Sequence, residues 1–566
     1  MDIRKITAFI TAVGAASAAF TACDKKSEMT APVPIIEETT NKTTTATSAT
    51  QPVETFPDYP VTYPEIEKTQ SGNLYEAEKA ELKGGVKVAA DKPEFSGDGY
   101  VTGFGNEGKA SVAFEIDVPS NQHYDLSFNI LSESAVNCRI NLGDEQLTMF
   151  RTTNNGQFTY ITLYGVFLTK GRQKLEIIPE NGDMCLDYLK IENNTSLSDI
   201  TYNTKGELVN KNAGESAKEL MSFLSDNYGK YIITGQYAYG GDNSELDLIY
   251  RTTGKYPVIR FSNFDIPDQS FDGSFKEVDA AAEWYLNGGI SCVSWFWKAP
   301  SEKKSSIRTE ETDFDLSKAV TDKEIAELTE EELRELYSKG DISKECYGLI
   351  LDIDNMAGQL TSLKNRGVPV LWRPLPEGYG NWYWWGAKGA DSYKWLWKLM
   401  YDRLTKYFGL DNLIWIWNGQ SDSTLVDKRT FDIAAVDLYF NDEKDYGNRY
   451  YEEFAAVQKF VGSDKLIAIS ECGCVPDMDT AFRDNAVWSF FGVWYGKYIQ
   501  TEKGTYNEEF TSKEALVRAY NSDGAMTLDE YQKLRGIEPP SEAASETAEA
   551  SEAFEEKKII TKGGIR

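Results

Sequence analysis

Two glutamates, each standing just past a short apolar run, are the residues of this 566-residue chain best suited to chemistry. Glu377 closes the segment Leu371-Trp372-Arg373-Pro374-Leu375-Pro376-Glu377, and the apolar run Gly367 to Leu371 reads as a buried strand. Asn381-Trp382-Tyr383-Trp384-Trp385-Gly386 follows closely. Glu471 closes a second apolar run, Lys465 to Ser470, and precedes Cys472-Gly473. Retaining glycoside chemistry needs such a pair, one carboxyl as acid/base and one as nucleophile, about 5 Å apart. Aromatic faces stack on the apolar faces of sugar rings, and an apolar wall raises a carboxyl pKa toward that of a usable proton donor. The indole-rich segment therefore reads as a sugar platform, with Trp382, Trp384 and Trp385 as substrate-binding rings. Its alternative is plain core, which is hard to reconcile with so many aromatics side by side. Arg373 joins the substrate-binding set and would hold Glu471 ionised if the two strand ends are neighbours.

Glutamates at strand ends meet at the C-terminal mouth of a parallel barrel. From Glu215 onward, strand-like and helix-like segments alternate. Tyr231 to Thr234, Tyr256 to Phe261, Gly289 to Trp295, Val368 to Leu371, Leu413 to Trp417, Ile433 to Leu438 and Leu466 to Ser470 are strand-like. Ala217 to Asn227 and Glu277 to Asn287 are helix-like, and the charged stretch Thr321 to Lys344 suggests solvated helices in a long loop. The predicted fold is a (β/α)8 TIM barrel over residues 215–536.

Residues 73–194 have another texture. Ser111 to Val118, His123 to Leu131, Val136 to Leu142, Phe158 to Phe167, Gln173 to Ile178 and Cys185 to Glu192 alternate between Gly, Asn and Asp turns. Evenly spaced short strands predict an all-β sandwich of jelly-roll type ahead of the barrel. A polar connection, residues 195–214, links the two.

Arg4 and Lys5 precede an Ala-rich apolar stretch, Ile6 to Phe20, and then Thr21-Ala22-Cys23. This resembles a bacterial lipoprotein signal over residues 1–22, with Cys23 as the lipidated residue that anchors the chain to a membrane; ordinary cleavage after Ala22 and secretion is the alternative. Residues 23–72 read as a disordered Thr/Pro-rich tether, and residues 537–566 as an acidic disordered tail. A net charge of −30 disfavours nucleic acid and anionic membrane surfaces as partners. The one histidine, His123, lies outside the barrel, which excludes Ser-His-Asp or Cys-His catalysis and a His-ligated metal there. Cys138 and Cys185 fall in the sandwich and could pair, but free buried thiols are the default.

From about Glu215 to Leu534 the chain resembles glycoside hydrolase family 26, a mannanase-rich family of retaining barrel enzymes. The resemblance is carried by Tyr256-Pro257-Val258 with Asp265, Gly288 to Pro300, Thr312 to Leu316 and the two tryptophan-bearing segments around Glu377. Trp415 to Asn418, Asp437-Leu438-Tyr439, Ser470 to Gly473 and Phe491 to Trp494 continue it in order. It implies Glu377 as acid/base, Glu471 as nucleophile, and Trp382, Tyr439 and Trp494 around the cleaved sugar, with Tyr439 hydrogen-bonded to the nucleophile. It implies endo-cleavage of β-1,4-mannan with no catalytic cofactor, and the chain is expected to act as a monomer. Pro376 and Phe296 replace histidines usual in that family. They leave open another β-glycan, such as β-1,3-xylan or a mixed-linkage glucan, or a glycan-binding lipoprotein that no longer turns over. Residues 73–194 resemble carbohydrate-binding module family 35 through Tyr75-Glu76-Ala77-Glu78, Ser96 to Val101 and Leu186 to Leu189. That resemblance implies a structural calcium on Glu76, Glu78 and Asp187, although Glu76 and Glu78 could simply share one face of a strand. Its sugar-binding end would involve Tyr100, Arg151 and Asn181, each equally able to be structural.

Overall fold

Period-two alternation builds the N-terminal domain: in Ser111–Val118, Val112, Phe114, Ile116 and Val118 turn inward while Glu115 and Asp117 face water. The computed structural model describes residues 54–537, except 65, 67, 106–107, 153–155, 266–275, 302 and 440–450. Cys23, the segment before it and the acidic tail after Ile537 lie outside the described residues. Two antiparallel sheets face each other across a core that includes Phe114, Leu126, Phe128 and Leu189. One runs Lys87–Ala89, Tyr100–Thr102, Cys185–Asn193, Gln122–Leu131, Thr159–Leu168, with Gly72–Glu76 also paired to Cys185–Asn193. The other runs Glu81–Lys83, Ser111–Val118, Gly171–Pro179, Asn137–Leu142, Glu145–Arg151. The six strands read from sequence are present within two residues of their expected limits. Four shorter strands carry too little alternation to stand out, and Glu145–Arg151, seven residues long, breaks its period where Leu147 and Phe150, three apart, both pack against the core.

Cys138 and Cys185 do not pair. Cys138 packs inside the sandwich, whereas Cys185 joins Tyr100 and Leu131 in a separate apolar cluster.

The second domain is a closed barrel of eight parallel strands: Gly235–Tyr237, Ile259–Phe264, Ile290–Trp295, Val370–Pro374, Leu413–Trp417, Ile433–Leu438, Leu466–Cys472 and Phe491–Val493. They are called barrel strands 1 to 8 below. Two expectations shift. Ile232–Ile233 is not barrel wall but pairs with Ala525–Met526 beneath it, and strand 1 starts at Gly235. Strand 2 starts at Ile259 rather than Tyr256, beyond Pro257, which has no N–H to give a ladder. The eighth strand, three residues long, is too short to show a period in the sequence. Within Thr321 to Lys344 one helix forms, Glu330–Lys339, started by a capping box of Thr329 and Glu332.

The connections are more ordered than their composition suggests. Leu197, Ile200, Leu208 and Ala213 are buried in the barrel's core cluster, so residues 195–214 dock rather than dangle. Part of the expected tether also docks: the Tyr59 amide donates to the Asn521 carbonyl, and the Asp523 amide donates to the Tyr59 carbonyl, both at 2.8 Å. The sandwich meets the barrel at His123, 1% exposed. Its ring stacks on Tyr451 at 4.3 Å, its Nδ1 lies 2.7 Å from the Gly165 carbonyl, and its Nε2 lies 3.6 Å from Asp484. Arg483 pairs with Asp484 and covers the Phe167 ring at 3.6 Å. Among the described residues no helix is long and apolar enough to cross a membrane.

Candidate active site

The barrel mouth is organised by Arg373, which projects from strand 4 and is fully buried. Its Nη1 donates to Glu471 Oε1 at 2.5 Å, to the Tyr237 hydroxyl at 3.1 Å and to Ser294 Oγ at 3.3 Å. Its Nη2 donates to Asp437 and, at 3.3 Å, to Asn418 Oδ1. Its Nε has no hydrogen-bond partner, but with the whole side chain 0% exposed Arg373 positions the site from behind, which corrects its expected place among the sugar-binding residues. Glu471, at the end of strand 7, accepts a second bond from the Tyr439 hydroxyl at 3.0 Å. The pairings of strand 7 with strands 6 and 8 shift register beside Asp437 and Glu471, the kind of irregularity that re-aims side chains.

Glu377 is set differently. It lies on the loop after strand 4 with φ of 50°, and Leu375 has φ of 52°. Two non-glycine residues in the left-handed region cost roughly 1–3 kcal/mol each and persist only when surroundings force them. Asn418 supplies part of that force, its Oδ1 accepting the Glu377 amide at 2.6 Å. Trp385 supplies more, donating from Nε1 to the Pro376 carbonyl at 2.7 Å. At Gly378 a methyl group would stand 2.3 Å from the Tyr393 ring, so the loop folds down only because that side chain is missing. The Glu377 carboxyl then meets one indole N–H, that of Trp382, at 2.8 Å.

Burial raises both glutamates, and their contact with Arg373 distinguishes them. Burial, followed by the nearby Asp437 charge, pushes Glu377 up to about 8, against the Trp382 hydrogen bond and the charges of Arg373 and Arg308. Burial pushes Glu471 up as well; Arg373 pulls it back, while Asp437 and Glu377 push it up. Three carboxyls share a guanidinium that is hydrogen-bonded to only two of them, Glu471 and Asp437. Hydrogen bonding to the guanidinium, and not burial, therefore sets Glu377 apart as the carboxyl best placed to keep a proton. A protonated carboxyl beside an ionised one, in a water-poor pocket, can donate a proton to a leaving oxygen while the other attacks carbon.

The aromatic segment is the main correction. Trp384 and Trp385 are 1% and 0% exposed, so neither offers a face to a sugar. Trp384 donates to the Trp297 carbonyl at 2.6 Å and packs edge-on against Trp297 and Phe314. These rings are the floor that fixes the Glu377 loop. Trp382 is half-buried and remains beside Glu377. Trp494 follows strand 8 and packs against Tyr237 and Phe296, 2% exposed, as a wall of the mouth. Phe296 lies under Arg373, 5.9 Å from its guanidinium carbon. Asp437, Asn418 and Tyr237 escaped assignment of a role. For the first two the available signal was a polar residue at or just past the end of an apolar strand.

In the sandwich, Glu76, Glu78 and Asp187 converge on one loop. Glu76 accepts from Ser96 Oγ at 2.7 Å, Asp187 from the Ser96 amide at 3.0 Å, and Glu78 from the Asp98 amide at 3.1 Å. Glu78 Oε2 is buried with no hydrogen-bond partner. As placed, no group of three or more His, Cys, Asp or Glu side chains among the described residues is gathered closely enough to hold a metal ion. Tyr100 is 1% exposed with its hydroxyl on Asp91 at 2.8 Å, and Asn181 accepts the Asn137 amide at 2.8 Å. Tyr100 is thus a packed residue, whereas Asn181, an exposed loop brace, and Arg151 both face water.

The glycosyl hydrolase family 26 profile matches residues 209–516. A mannan endo-1,4-β-mannosidase of Thermothelomyces thermophilus is 31% identical over 83% of this chain and 92% of its own length. Mannan endo-1,4-β-mannosidase A of Piromyces sp. is 32% identical over 81% of this chain and 72% of its own. Among solved structures, the GH26-CBM35 β-(1,4)-mannanase of Podospora anserina superposes with a TM-score of 0.62 at 30% identity, covering 82% of this chain and 99% of that one.

The Trp382 hydrogen bond favours the ionised form of Glu377, so removing it raises the carboxyl further above about 8. The acid form is the one that donates a proton. In Trp382→Phe the alkaline limb of the kcat/KM profile therefore moves to higher pH while the lower limb stays, as read from initial rates across pH on a soluble oligosaccharide.

Proposed function

We propose that this chain, which belongs to glycosyl hydrolase family 26, is an endo-β-1,4-mannanase acting by double displacement. The observation that carries the reading is the division of one guanidinium between Glu471 and Asp437, which leaves Glu377 as the proton holder. In the first step the Glu377 proton passes to the glycosidic oxygen as its bond to the anomeric carbon breaks. Glu471 forms a bond to that carbon from the opposite face, giving a glycosyl ester. Tyr439 and Arg373 hold the carboxylate oriented for attack. In the second step the Glu377 carboxylate takes a proton from water, whose oxygen attacks the anomeric carbon and expels Glu471. Two inversions give net retention. β-Mannan is the proposed substrate, supported by the names of the two curated relatives.

Product release from glucomannan, galactomannan, xylan and mixed-linkage glucan tests this. Manno-oligosaccharides from the wild type, lost in Glu377→Ala and Glu471→Ala, are the expected result, with a deficit of about 10²–10⁴-fold for the acid/base. A dinitrophenyl leaving group needs no proton, so it should restore much of the first step to Glu377→Ala and none to Glu471→Ala. Products only from another glycan would keep the mechanism and replace the substrate, and none at all would leave a binding protein.

The sandwich is proposed as a carbohydrate-binding module with a structural calcium at Glu76, Glu78 and Asp187. Its support is the donor chemistry, three hard oxygen donors around one loop, and the unpartnered Glu78 oxygen. Calcium should raise the sandwich's melting temperature after chelation, and Asp187→Asn should abolish the gain. Equal melting with and without calcium would remove the site.

The proposed location is the outer surface of a bacterial cell, with a lipid anchor at Cys23 and a tether after it, supported by Arg4, Lys5, the Ala-rich stretch and the acidic composition. Detergent partitioning of the full chain, lost in Cys23→Ser, is the expected result; an unanchored wild type would point to simple secretion.

A further inference from the structure

We propose that the outer face of the six-stranded sheet, centred on Tyr160 and Tyr164, is a platform that binds an extended, uncharged polysaccharide chain. The proposal rests on the polysaccharide-hydrolase reading above and gives the sandwich a binding surface different from the strand-end residues considered earlier. Tyr160 and Tyr164 are 57% and 63% exposed and share one strand, Thr159–Leu168. They project from the same side, because Ile161 and Leu163 between them pack into the core. Four residue steps along the strand separate them, about 13 Å, a distance a short oligosaccharide bridges.

The surface is prepared for such an occupant. The Tyr160 hydroxyl meets that of Tyr188, and the two rings touch edge to face at 6.0 Å, so Tyr160 is held in place although most of its ring faces water. A ring already ordered loses little freedom when a sugar stacks on it. Between the tyrosines lies a polar row: Thr162 stands opposite Ser127 with their hydroxyls 2.8 Å apart, and Lys190 stands on the other side of Ser127. Lys190 pairs with Glu192 at 2.8 Å, and the Asp125 carboxylate opposite Glu192 is taken up by the Gly165 amide at 3.0 Å and the Asn194 side-chain amide at 3.1 Å, so the row between the rings presents hydroxyls and one ion pair. Aromatic planes flanking neutral hydroxyls suit a neutral glycan and offer nothing to a nucleic acid or a charged polymer.

Its position also suits a role beside the barrel. The residue after Tyr164 is Gly165, whose carbonyl lies 2.7 Å from His123 Nδ1 at the junction and where a methyl group would stand 3.9 Å from Tyr451. Tyr451 opens the helix that follows strand 6, the strand of Asp437, and Tyr439 comes directly after that strand. The platform thus ends against the element that returns from the catalytic mouth.

Retention on insoluble mannan, xylan and cellulose tests the proposal, using full-length Glu377→Ala protein so that nothing is digested. Tyr160→Ala/Tyr164→Ala in that background should lose roughly tenfold or more in retention on the glycan the parent binds. Tyr160→Phe/Tyr164→Phe, which keeps both rings, should restore it. In the active background the alanine pair should leave turnover of a short soluble oligosaccharide unchanged, which also shows that it folds. Parent protein retained by no glycan, or an alanine pair retained as tightly as the parent, overturns the platform. So does loss of a dimer in sedimentation, which would assign the face to a second copy of the chain. If retention falls as expected while the wild type cleaves none of the four soluble glycans, the platform stands and the hydrolase reading fails.

Discussion

A cation buried without water must be answered by buried anions, and at Arg373 that requirement decides the arrangement of the barrel mouth. Its partners come from strand 1 (Tyr237), strand 3 (Ser294), the residue after strand 5 (Asn418), strand 6 (Asp437) and strand 7 (Glu471). Removing one member of such a buried group leaves an uncompensated charge and costs about 3–5 kcal/mol. The residues that hold the reacting carboxylate are therefore the same ones that hold the upper layer of the barrel together. Ser470 and Asn418 complete the set by donating to Asp437 at 2.6 and 3.2 Å.

The acid/base is held by a second principle, packing rather than charge. Glu377 and Leu375 sit in backbone conformations that an isolated chain would leave. The indoles beneath them prevent it, with Trp385 tied to the Pro376 carbonyl and Trp384 to that of Trp297. Hydrophobic burial of two indoles thus offsets backbone strain at the residue that does the proton transfer. The Asn418 side chain joins the two devices, since its oxygen accepts from both the Glu377 amide and the Arg373 guanidinium.

Much of this is legible in the sequence. Glu377 and Glu471 stand out as carboxylates ending apolar strands, and six strands of the sandwich by alternation. Composition failed where burial and recognition use the same residues. Trp384 and Trp385 look identical to a sugar platform in a sequence, and only their 1% and 0% exposure assigns them to the floor. Strand 8 has three residues, too few for any period to show, and strand 1 hides behind the more hydrophobic pair Ile232–Ile233. Residues 195–214 look like a linker because their four buried apolar residues are scattered among polar ones, and their partners lie far away in the chain. The network around Arg373 needs residues more than a hundred positions apart, and no local pattern encodes such an agreement.

The joint between sandwich and barrel has a further consequence. Its central ring is the chain's lone histidine, enclosed by Tyr451, Phe167 and Asp484 from both sides of the junction. The protein accordingly carries a built-in spectroscopic beacon: every imidazole signal it emits originates at the seam, free of overlap from any other histidine. Ring currents from the stacked tyrosine and the edge-on phenylalanine would displace that signal while the halves are closed and release it when they part. Hinge behaviour of a two-part enzyme, usually inferred from labels attached afterwards, is here written into a single native residue.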